Sequence, residues 1–390
     1  MKTFKILLLA STALLTANFA PAQTWTQTSA PSTNWQSIAS SADGSKLVAS
    51  GFRVDGPIYT STNSGATWTL TSAPSQSWNS VASSADGIQL VAVQYVGSIY
   101  TSPDAGATWI SNSAPSQAEW TSVASSADGT KLVAVNNFPG TIYISTNSGA
   151  DWTQATNAPG AMWRSVASSA DGSKLVAVFA QPNGGRIYTS TNSGVTWSQA
   201  TNAPSANWSS IASSADGNKL IAVVFGGSIY TSTNSGNIWT TNDLPANSSW
   251  YAAASSADGT KLIVAALKGL IYTSTNSGVG WVSNSVPGLL WQSVASSADG
   301  NKLVAAVRNG GIYTWQSAPT PQLNLTFSNN HFALSWLVPS TNFLLQQNSD
   351  LSTTSWTDVT NPPVLNLTNL QNEVTLPSPG SNVFYRLKTP

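Results

Sequence analysis

The sequence predicts an all-β protein in which a seven-bladed β-propeller, closed by its N-terminal strand, is followed by a small β-sandwich. The main observation is a motif close to W-x-S-V-A-S-S-A-D-G-x-K-L-V-A that occurs seven times in the 390-residue chain. Its Ala-Asp-Gly aspartates lie 41 to 45 residues apart, the period of a four-stranded propeller blade rather than of a helical repeat. These aspartates are Asp43, Asp86, Asp128, Asp171, Asp216, Asp258 and Asp299.

The N-terminus has the pattern of a secretory signal peptide. Two lysines lead into the apolar run Ile6 to Leu15, and the small residues Ala20 to Ala22 provide a cleavage site. We therefore expect residues 1–22 to be removed and the mature protein to be secreted or extracytoplasmic. No later segment has the 18 or so consecutive apolar residues of a membrane-spanning helix, so we expect no membrane span.

Composition restricts the chemistry that the chain can carry. The absence of cysteine excludes disulfides and thiolate metal sites, and the only histidine, His331, follows the repeats. Fifteen basic and fifteen acidic residues, with 8% charged residues in all, give no electrostatic basis for binding nucleic acid. We expect a monomer without a cofactor or a bound metal.

One copy of the repeat can be assigned strand by strand. In the copy that begins at Trp78, the expected strands are Trp78 to Ser83, Leu90 to Val93, Ser98 to Ser102 and Thr108 to Ser111. A tight Asp-Gly turn at Asp86 joins the first two strands, and a glycine-containing turn joins the last two. Seven such copies fill residues 23–317, the predicted propeller domain.

The tryptophans predict how the ring closes. The first strands supply seven tryptophans and the fourth strands only six, so one fourth strand is missing after Trp315. The N-terminal segment Thr24 to Pro31 nearly repeats the segment Thr67 to Pro74. We therefore expect the N-terminal strand to complete blade seven, which leaves no unpaired edge in the ring.

Residues 318–390 follow a different pattern and form the second predicted domain. Their β-rich segments lie around residues 323–327, 331–336, 343–347, 356–359, 373–376 and 384–387, which suggests a small antiparallel sandwich. The domain resembles the fibronectin-type or immunoglobulin-like modules at the C-termini of secreted bacterial proteins. The resemblance depends on Leu334 to Trp336, Phe343 to Gln346 and Phe384 to Leu387.

The glycine-containing hairpins also resemble a known motif. Ser61 to Trp68 is similar to the Asp-box (BNR repeat) pattern S-x-D-x-G-x-T-W, and Ser102 to Trp109 matches it fully. Asp-box propellers include sialidases, xyloglucanases and the photosystem II assembly-factor type, so the resemblance implies a fold and leaves the activity open. Asparagine replaces the aspartate in the other boxes and is expected to preserve the turn, because its oxygen still accepts backbone N–H bonds. These asparagines are Asn63, Asn147, Asn192, Asn234 and Asn276.

The repeated aspartates and lysines are interpreted as structural. Asp-Gly is a strong hairpin signal, and seven symmetric copies cannot all form one active site. Six lysines lie three residues after their aspartates and are expected to pair with them across the turn. They are Lys46, Lys131, Lys174, Lys219, Lys261 and Lys302.

Residues that differ between the repeats are the candidates for binding. They fall in the connections between strands two and three and between blades, which lie together on one rim of a propeller, called here the variable rim. Its aromatic and cationic side chains are expected to bind a glycan, a peptide or a partner protein. The alternative is that the aromatic residues fill gaps between blades. The predicted ligand-binding residues are Phe52, Arg53, Tyr95, Phe138, Arg186, Phe225, Lys268 and Arg308, and Phe179 belongs to the same set of variable aromatics.

A hydrolase is the alternative function. The sialidase resemblance implies an arginine triad, a tyrosine paired with a glutamate and an acidic aspartate, but around Arg53 only a faint form of the first arginine motif is present. A glycosidase of either stereochemistry needs two facing carboxylates about 5 to 10 Å apart. Outside the turns and boxes the propeller has only Asp55, Glu119 and Asp243, which belong to blades spread around the ring, and Asp55 with Glu119 is the only pair considered. We therefore expect a secreted, non-catalytic binding or scaffold protein, with a sialidase-like or xyloglucanase-like glycoside hydrolase as the alternative.

Overall fold

The computed structural model of the chain divides into two compact units. One unit comprises Thr24–Gln316, and the other combines Met1–Gln23 with Ser317–Pro390. The structure describes residues 6–8, 24–53, 55–112, 114–115, 117–181, 184–242, 244, 248–284, 286–316, 323–328, 331–337, 344–353, 355–366, 371–378 and 382–388. The predicted cleavage site, the linker at Pro319 to Pro321 and Asp243 lie outside the described residues.

The unit Thr24–Gln316 is a propeller of seven antiparallel blades, numbered here in chain order, with four strands in each blade. The first strands are Trp35–Ser40, Trp78–Ser83, Trp120–Ser125, Trp163–Ser168, Trp208–Ser213, Ser248–Ser255 and Trp291–Ser296. The second strands are Leu47–Gly51, Leu90–Gln94, Leu132–Asn136, Leu175–Phe179, Leu220–Gly227, Leu262–Ala266 and Lys302–Val307.

The two outer strands of each blade are shorter. The third strands are Ile58–Ser61, Ile99–Ser102, Ile142–Ser145, Ile187–Ser190, Ile229–Ser232, Ile271–Ser274 and Ile312–Gln316. The fourth strands are Thr69–Leu70, Ile110–Ser111, Thr153–Gln154, Ser198–Gln199, Thr240–Asn242, Val282–Ser283 and, for blade seven, Thr26–Gln27. The all-β architecture predicted from the sequence is therefore confirmed.

Aromatic packing explains why the repeat folds into blades. The first-strand tryptophans are fully buried, and each contacts the third-strand tyrosine of its own blade edge to face, as Trp78 and Tyr100 do at 5.2 Å between ring centroids. The second strand of blade two, Leu90–Gln94, is buried at every position because both of its faces are covered by neighbouring blades. Burial of this apolar surface between blades is the main source of stability.

The ring closes as the sequence predicts. Thr26 pairs with Thr314 and Gln27 with Tyr313, so the N-terminal segment is the fourth strand of blade seven. Trp25 is only 9% exposed and packs on Trp291, with 6.3 Å between their ring centroids. Closure therefore ties the first strand of the propeller to the last blade and covers an edge that would otherwise be open.

A second closure consists of backbone hydrogen bonds on the rim that carries the Ala-Asp-Gly turns, called here the turn rim. The alanine that precedes each aspartate donates its N–H to the carbonyl of the equivalent alanine in the next blade, at 2.7 Å in every case. The last of the seven bonds runs from Ala298 in blade seven to Ala42 in blade one. The alanines are Ala42, Ala85, Ala127, Ala170, Ala215, Ala257 and Ala298.

The lysines of the turn rim do not make the cross-turn pairs expected from the sequence. Lys46 Nζ donates instead to the backbone carbonyl of Asp86 in the next blade at 2.6 Å, and Lys131 reaches Asp171 in the same way at 2.9 Å. The reason is the tight turn, in which the glycine leaves room for the preceding blade's lysine: a Cβ on Gly87 would lie 2.8 Å from carbons of Lys46. The lysines therefore connect neighbouring blades.

The aspartates of the turn rim are held by their own turns, as expected. Hydrogen bonds from Ser169 and Ser173 lower the pKa of Asp171 to about 2. Those from Ser256 and Thr260 lower the pKa of Asp258 to about 2. The pKa values of the other five turn aspartates are lowered as well.

The hairpins between the third and fourth strands have the hydrogen bonds expected for both Asn and Asp. Asn63 Oδ1 accepts the backbone N–H of Thr67 at 2.8 Å, and Asp104 Oδ1 accepts that of Thr108 at the same distance. The serine two residues earlier, Ser61, accepts the N–H of Gly65 at 2.9 Å. The amide oxygen therefore substitutes for the carboxylate oxygen without a change in the turn.

The second unit contains two sheets that share one core. One sheet joins Ile6–Leu8, Val383–Lys388, Leu344–Asn348 and Thr357–Asp358, and the other joins Asn324–Ser328, His331–Leu337, Gln371–Pro377 and Val364–Asn366. Buried side chains such as Phe332, Trp336 and Leu345 fill the space between the sheets. The predicted sandwich is confirmed, and Val364–Asn366 is a strand that the sequence did not indicate. Ile6–Leu8 pairs in parallel with Val383 to Tyr385.

Candidate functional site

Equivalent positions of the seven blades form the variable rim. In most blades the residue that follows the second strand donates its backbone N–H to the carbonyl of the residue that precedes the first-strand tryptophan, as Phe52 does to Asn34 and Tyr95 to Ser77. In blade five the equivalent donor, Phe225, lies within the longer second strand. This bond fixes the loop tip above each blade. The residues at this position are Phe52, Tyr95, Asn137, Ala180, Phe225, Leu267 and Arg308. Four of the eight predicted ligand-binding residues therefore occupy one structural position.

The rim aromatics are partly exposed. Tyr95 is 40% exposed, Phe138 66% and Phe225 41%. Phe52 in blade one and Tyr95 in blade two contact each other edge to face, with 5.6 Å between ring centroids. Two side chains that the sequence assigns to the site are thus brought together across a blade boundary.

A strand extension that the sequence did not indicate holds Phe225 in place. The second strand of blade five continues to Gly227, where Phe225 pairs with Ser249 and Gly227 with Ser248 of blade six. These pairs join blades five and six into one continuous sheet. Phe225 is therefore displayed by a strand that pairs with blade six and has a bulge at Gly226, directly after Phe225.

Phe179 does not belong to the exposed set. It is the last residue of its second strand, is 8% exposed and packs edge to face on Trp163 at 5.4 Å between ring centroids. The expectation that it helps to form a binding face is wrong for this residue, because its position faces the blade interior. The exposed aromatics lie one or two residues further along the chain.

The predicted cationic residues separate into two groups. Arg53, Lys268 and Arg308 are exposed at loop tips of the variable rim. Arg186 is partly buried and donates to the Gly185 carbonyl at 3.1 Å and to the hydroxyl of Ser205. Its guanidinium therefore links two loops of the propeller. Of the four predicted cationic residues, Arg53, Lys268 and Arg308 are the ones that present their charge to solvent.

A cavity of about 510 Å³ lies inside the ring formed by the first strands. One residue of each blade, the residue directly after the first-strand tryptophan, contributes to its lining. These residues are Gln36, Asn79, Thr121, Arg164, Ser209, Tyr251 and Gln292. Of the predicted site residues, Phe225 lines the cavity as well. The cavity therefore adds a second set of site residues to the aromatics of the rim.

Hydrogen bonds connect several of these lining residues around the ring. Gln292 Nε2 donates to Gln36 Oε1 and to the Tyr251 hydroxyl, both at 3.1 Å, and Gln36 Nε2 donates to Asn79 Oδ1 at 2.7 Å. Thr121 and Ser209 donate their hydroxyls to tryptophan carbonyls of the next blade at 2.8 Å. The lining is therefore a polar and largely pre-ordered surface.

Sequence reasoning missed this cavity, although the signal was present. The lining position is the variable x of the W-x-S motif. Across the seven copies it is occupied by three amide side chains, two aliphatic hydroxyls, one arginine and one tyrosine. The position lies inside the repeated motif, whose neighbouring residues are structural. Its variability within an otherwise constant strand was the available indication of a binding role.

The two carboxylates of the hydrolase alternative are not brought together. Asp55 belongs to blade one and Glu119 to the start of blade three, so the whole of blade two separates them. Glu119 accepts a hydrogen bond from Asn137 Nδ2 at 3.2 Å, and neither carboxylate lines the cavity. In the described part of the chain, no group of three or more acidic or histidine side chains is arranged to hold a metal ion. The described residues also include no helix that is long and apolar enough to cross a membrane.

Comparisons with solved structures agree on the fold. The chain is similar to YCF48 from Cyanidioschyzon merolae, with 16% identity and a TM-score of 0.59 over 75% of this chain and 98% of that chain. It is also similar to a structure described as YCF48 bound to D1 peptide, with 16% identity and a TM-score of 0.58 over 78% of this chain and 100% of that chain. No protein-family model matches the chain, and no curated protein matches it.

Proposed function

We propose that this protein is a secreted, non-catalytic binding protein that holds a segment of a partner polypeptide on the variable rim, above the central cavity. The observation that carries the proposal is the lining of that cavity. The lining combines amides and hydroxyls from blades all around the propeller with the partly exposed aromatic side chain of Phe225, and the described residues that form it include no carboxylate. Such a surface is suited to hydrogen bonding and aromatic contact, whereas glycosidic cleavage needs a pair of acidic groups.

A polypeptide ligand is favoured by the form of the rim. The exposed aromatics are spread over several blades, with Phe52 and Tyr95 together and Phe138 and Phe225 further around the ring. An extended chain that crosses the rim can contact several such side chains and still place one residue in the cavity. The similar solved propeller that is described as bound to a peptide supports this choice.

The family assignments belong to the same proposal. We infer that the hairpins are of the Asp-box type, which is supported by the bonds that Asn63 and Asp104 make to the residues four positions later. The fibronectin-like character of the second unit is supported by its two sheets and single core. Secretion is supported by the apolar N-terminal run, and monomeric behaviour by the closed ring.

A glycan is the second candidate ligand, because amides, hydroxyls and a partly exposed aromatic ring are also the groups that bind sugars. To separate the two, the whole protein is immobilised and tested against a library of extended peptides and against a glycan array. We expect peptides to be retained, and we expect F225S to reduce their retention by about tenfold, as at an interface hot spot. The matched control is V279S, which removes an exposed apolar side chain from a hairpin of the turn rim.

Three results would contradict the proposal. They are retention of glycans but not of peptides, no retention of either class, and an equal effect of F225S and V279S. Turnover of a glycoside substrate that is lost in both D55N and E119Q would instead support the hydrolase alternative.

A further inference from the structure

The central ring is regular in six blades and interrupted in one. The serine of the W-x-S motif accepts the backbone N–H of a first-strand residue in the next blade, as Ser37 accepts from Val81 at 3.1 Å and Ser293 accepts from Ile38 at 3.2 Å. In blade six this serine is replaced by Ala252. The N–H of Val294 in blade seven therefore has no hydroxyl acceptor at that position, and both Ala252 and Val294 line the cavity.

A second group beside this interruption is also unsatisfied. Gln292 is only 5% exposed and lines the cavity, and its Oε1 has no hydrogen-bond partner among the described residues. A buried acceptor of this kind costs free energy unless something donates to it. Gln292 Oε1 is itself enclosed, with less than 1 Å² of accessible surface, so the group on this strand that we consider for a ligand is the N–H of Val294, whose residue lines the cavity.

The opposite side of the cavity carries a charge. Arg164 is the only charged side chain among the described residues that line it, and it comes from blade four, three blades away from blade seven in the ring of seven. Its guanidinium makes no hydrogen bond or ion pair with any residue that the structure describes, and it is exposed. A free guanidinium in a polar cavity without acidic neighbours is a site for a carboxylate, which it can bind through two parallel N–H donors.

We propose that the cavity binds a carboxylate of a peptide on Arg164, with a carbonyl of the same peptide accepting the Val294 N–H. This inference depends on the proposed polypeptide-binding function and specifies the ligand group. The carboxylate comes either from the C-terminus of the peptide or from an acidic side chain. The two sources share one chemistry and are separated by the peptides used in the test.

The test measures binding of fluorescent random hexapeptide pools to the whole protein by anisotropy. One pool has free C-termini and no acidic residues, a second is the same pool amidated, and a third is amidated with one Glu. We expect at least one of the two carboxylate-bearing pools to bind about tenfold or more tightly than the amidated pool without Glu, which is the neutral pool. This difference in affinity should become smaller as salt is added. R164Q should remove this advantage, and R164K should restore part of it.

The control for charge is K388Q, which removes the same single positive charge from an exposed position in the second unit. It should bind all pools as the natural protein does. If the neutral pool binds as tightly as the charged pools and R164Q has no effect, the carboxylate inference is wrong while peptide binding stands. If no pool binds, the proposed function fails as well. Binding of an acidic oligosaccharide through Arg164, without peptide binding, would overturn the choice of ligand.

A252S tests the other half of the site. The new hydroxyl should accept the Val294 N–H as the six natural serines do, so the variant should melt at a higher temperature and bind the peptide pools more weakly. An unchanged affinity in a stabilised variant would show that the interruption in blade six does not contact the ligand.

Discussion

At the residue scale, a side chain's role follows from its exact place in the repeat. Phe179 and Tyr95 are both variable aromatics near the end of a second strand, yet Phe179 is buried against Trp163 whereas Tyr95 is 40% exposed. One residue of register separates the two outcomes, because the second strand ends at Phe179 in blade four and at Gln94, just before Tyr95, in blade two. Comparison of the repeats identifies the variable rim, but it does not show which of the aromatic residues near the ends of the second strands are exposed.

The paired rings of Phe52 and Tyr95 should act in binding rather than in folding. In the double variant F52A/Y95A we expect peptide binding to fall about tenfold or more, since these side chains are exposed contact residues. Stability should change by no more than about 1 kcal/mol, as for surface substitutions. Peptide anisotropy and thermal melts measured on the same samples separate the two effects. A large drop in melting temperature would identify the pair as packing residues.

The turn aspartates predict a loss of stability in acid. Because the pKa values of Asp171 and Asp258 are lowered from 3.8 to about 2 in the folded protein, their stabilisation is complete above pH 4 and is lost as the pH falls from about 4 to 2. Both groups are near the surface, so the contribution is on the order of 1 kcal/mol each after solvent screening. Denaturant melts at pH 5 and pH 2 should show a smaller acid loss for D171N/D258N than for the natural protein. Equal losses would contradict this assignment.

At the scale of the strand, the closure of the ring was predictable because it depends on a count. Seven first-strand tryptophans and six fourth-strand tryptophans left one position, and Trp25 fills it. The lysine contacts between blades were not predictable in the same way. A repeat shows which residues recur, but Lys46 bonds to Asp86 of the next blade and not to Asp43 of its own turn, and that choice depends on the packing of two blades.

W25A should therefore destabilise the propeller as much as removal of a fourth-strand tryptophan from a blade whose four strands are consecutive in sequence. We expect a loss of about 3 to 5 kcal/mol, typical of large-to-small substitutions at buried aromatics. W109A is the matched comparison, since Trp109 packs on Trp78 at 6.5 Å much as Trp25 packs on Trp291 at 6.3 Å. Chemical denaturation of both variants measures the difference. A cost for W25A far below that for W109A would mean that the N-terminal strand is dispensable.

The whole N-terminal strand should matter more than the whole second unit. Deletion of residues 24–31 removes the strand that pairs with Ile312–Gln316 and opens the ring at an exposed edge. Deletion of Ser317–Pro390 removes the part of the second unit that contains its buried core and leaves every blade intact. Calorimetry of the two truncated proteins should give the lower melting temperature for the shorter deletion. The opposite order would show that the ring is held closed mainly by the backbone bonds of the turn rim.

At the scale of the molecule, the sequence predicted the ring but not the cavity at its centre. The period of the repeat determines the number of blades, and the number of blades creates a central space, but its lining depends on one variable position in each copy. Residues that are far apart in sequence, such as Arg164 and Gln292, meet around this space only because the ring closes. One blade alone therefore gives no indication of this site, and only comparison of the variable position across all seven copies does.

The arrangement of the whole ring also predicts that the protein does not hydrolyse glycosides. Asp55 and Glu119 lie on blades one and three, and the described residues that line the cavity are neutral apart from one arginine. Among the residues that the structure describes, no acid and base therefore face each other across the cavity. Purified protein should therefore show no turnover of sialosides or β-glucans at any pH between 4 and 8. The informative measurement is a broad glycosidase panel run with the natural protein, D55N and E119Q at equal folded concentration. Activity that disappears in either variant, with melting temperature unchanged, would require the two carboxylates to act together despite the blade between them, and the binding proposal would then give way to the hydrolase.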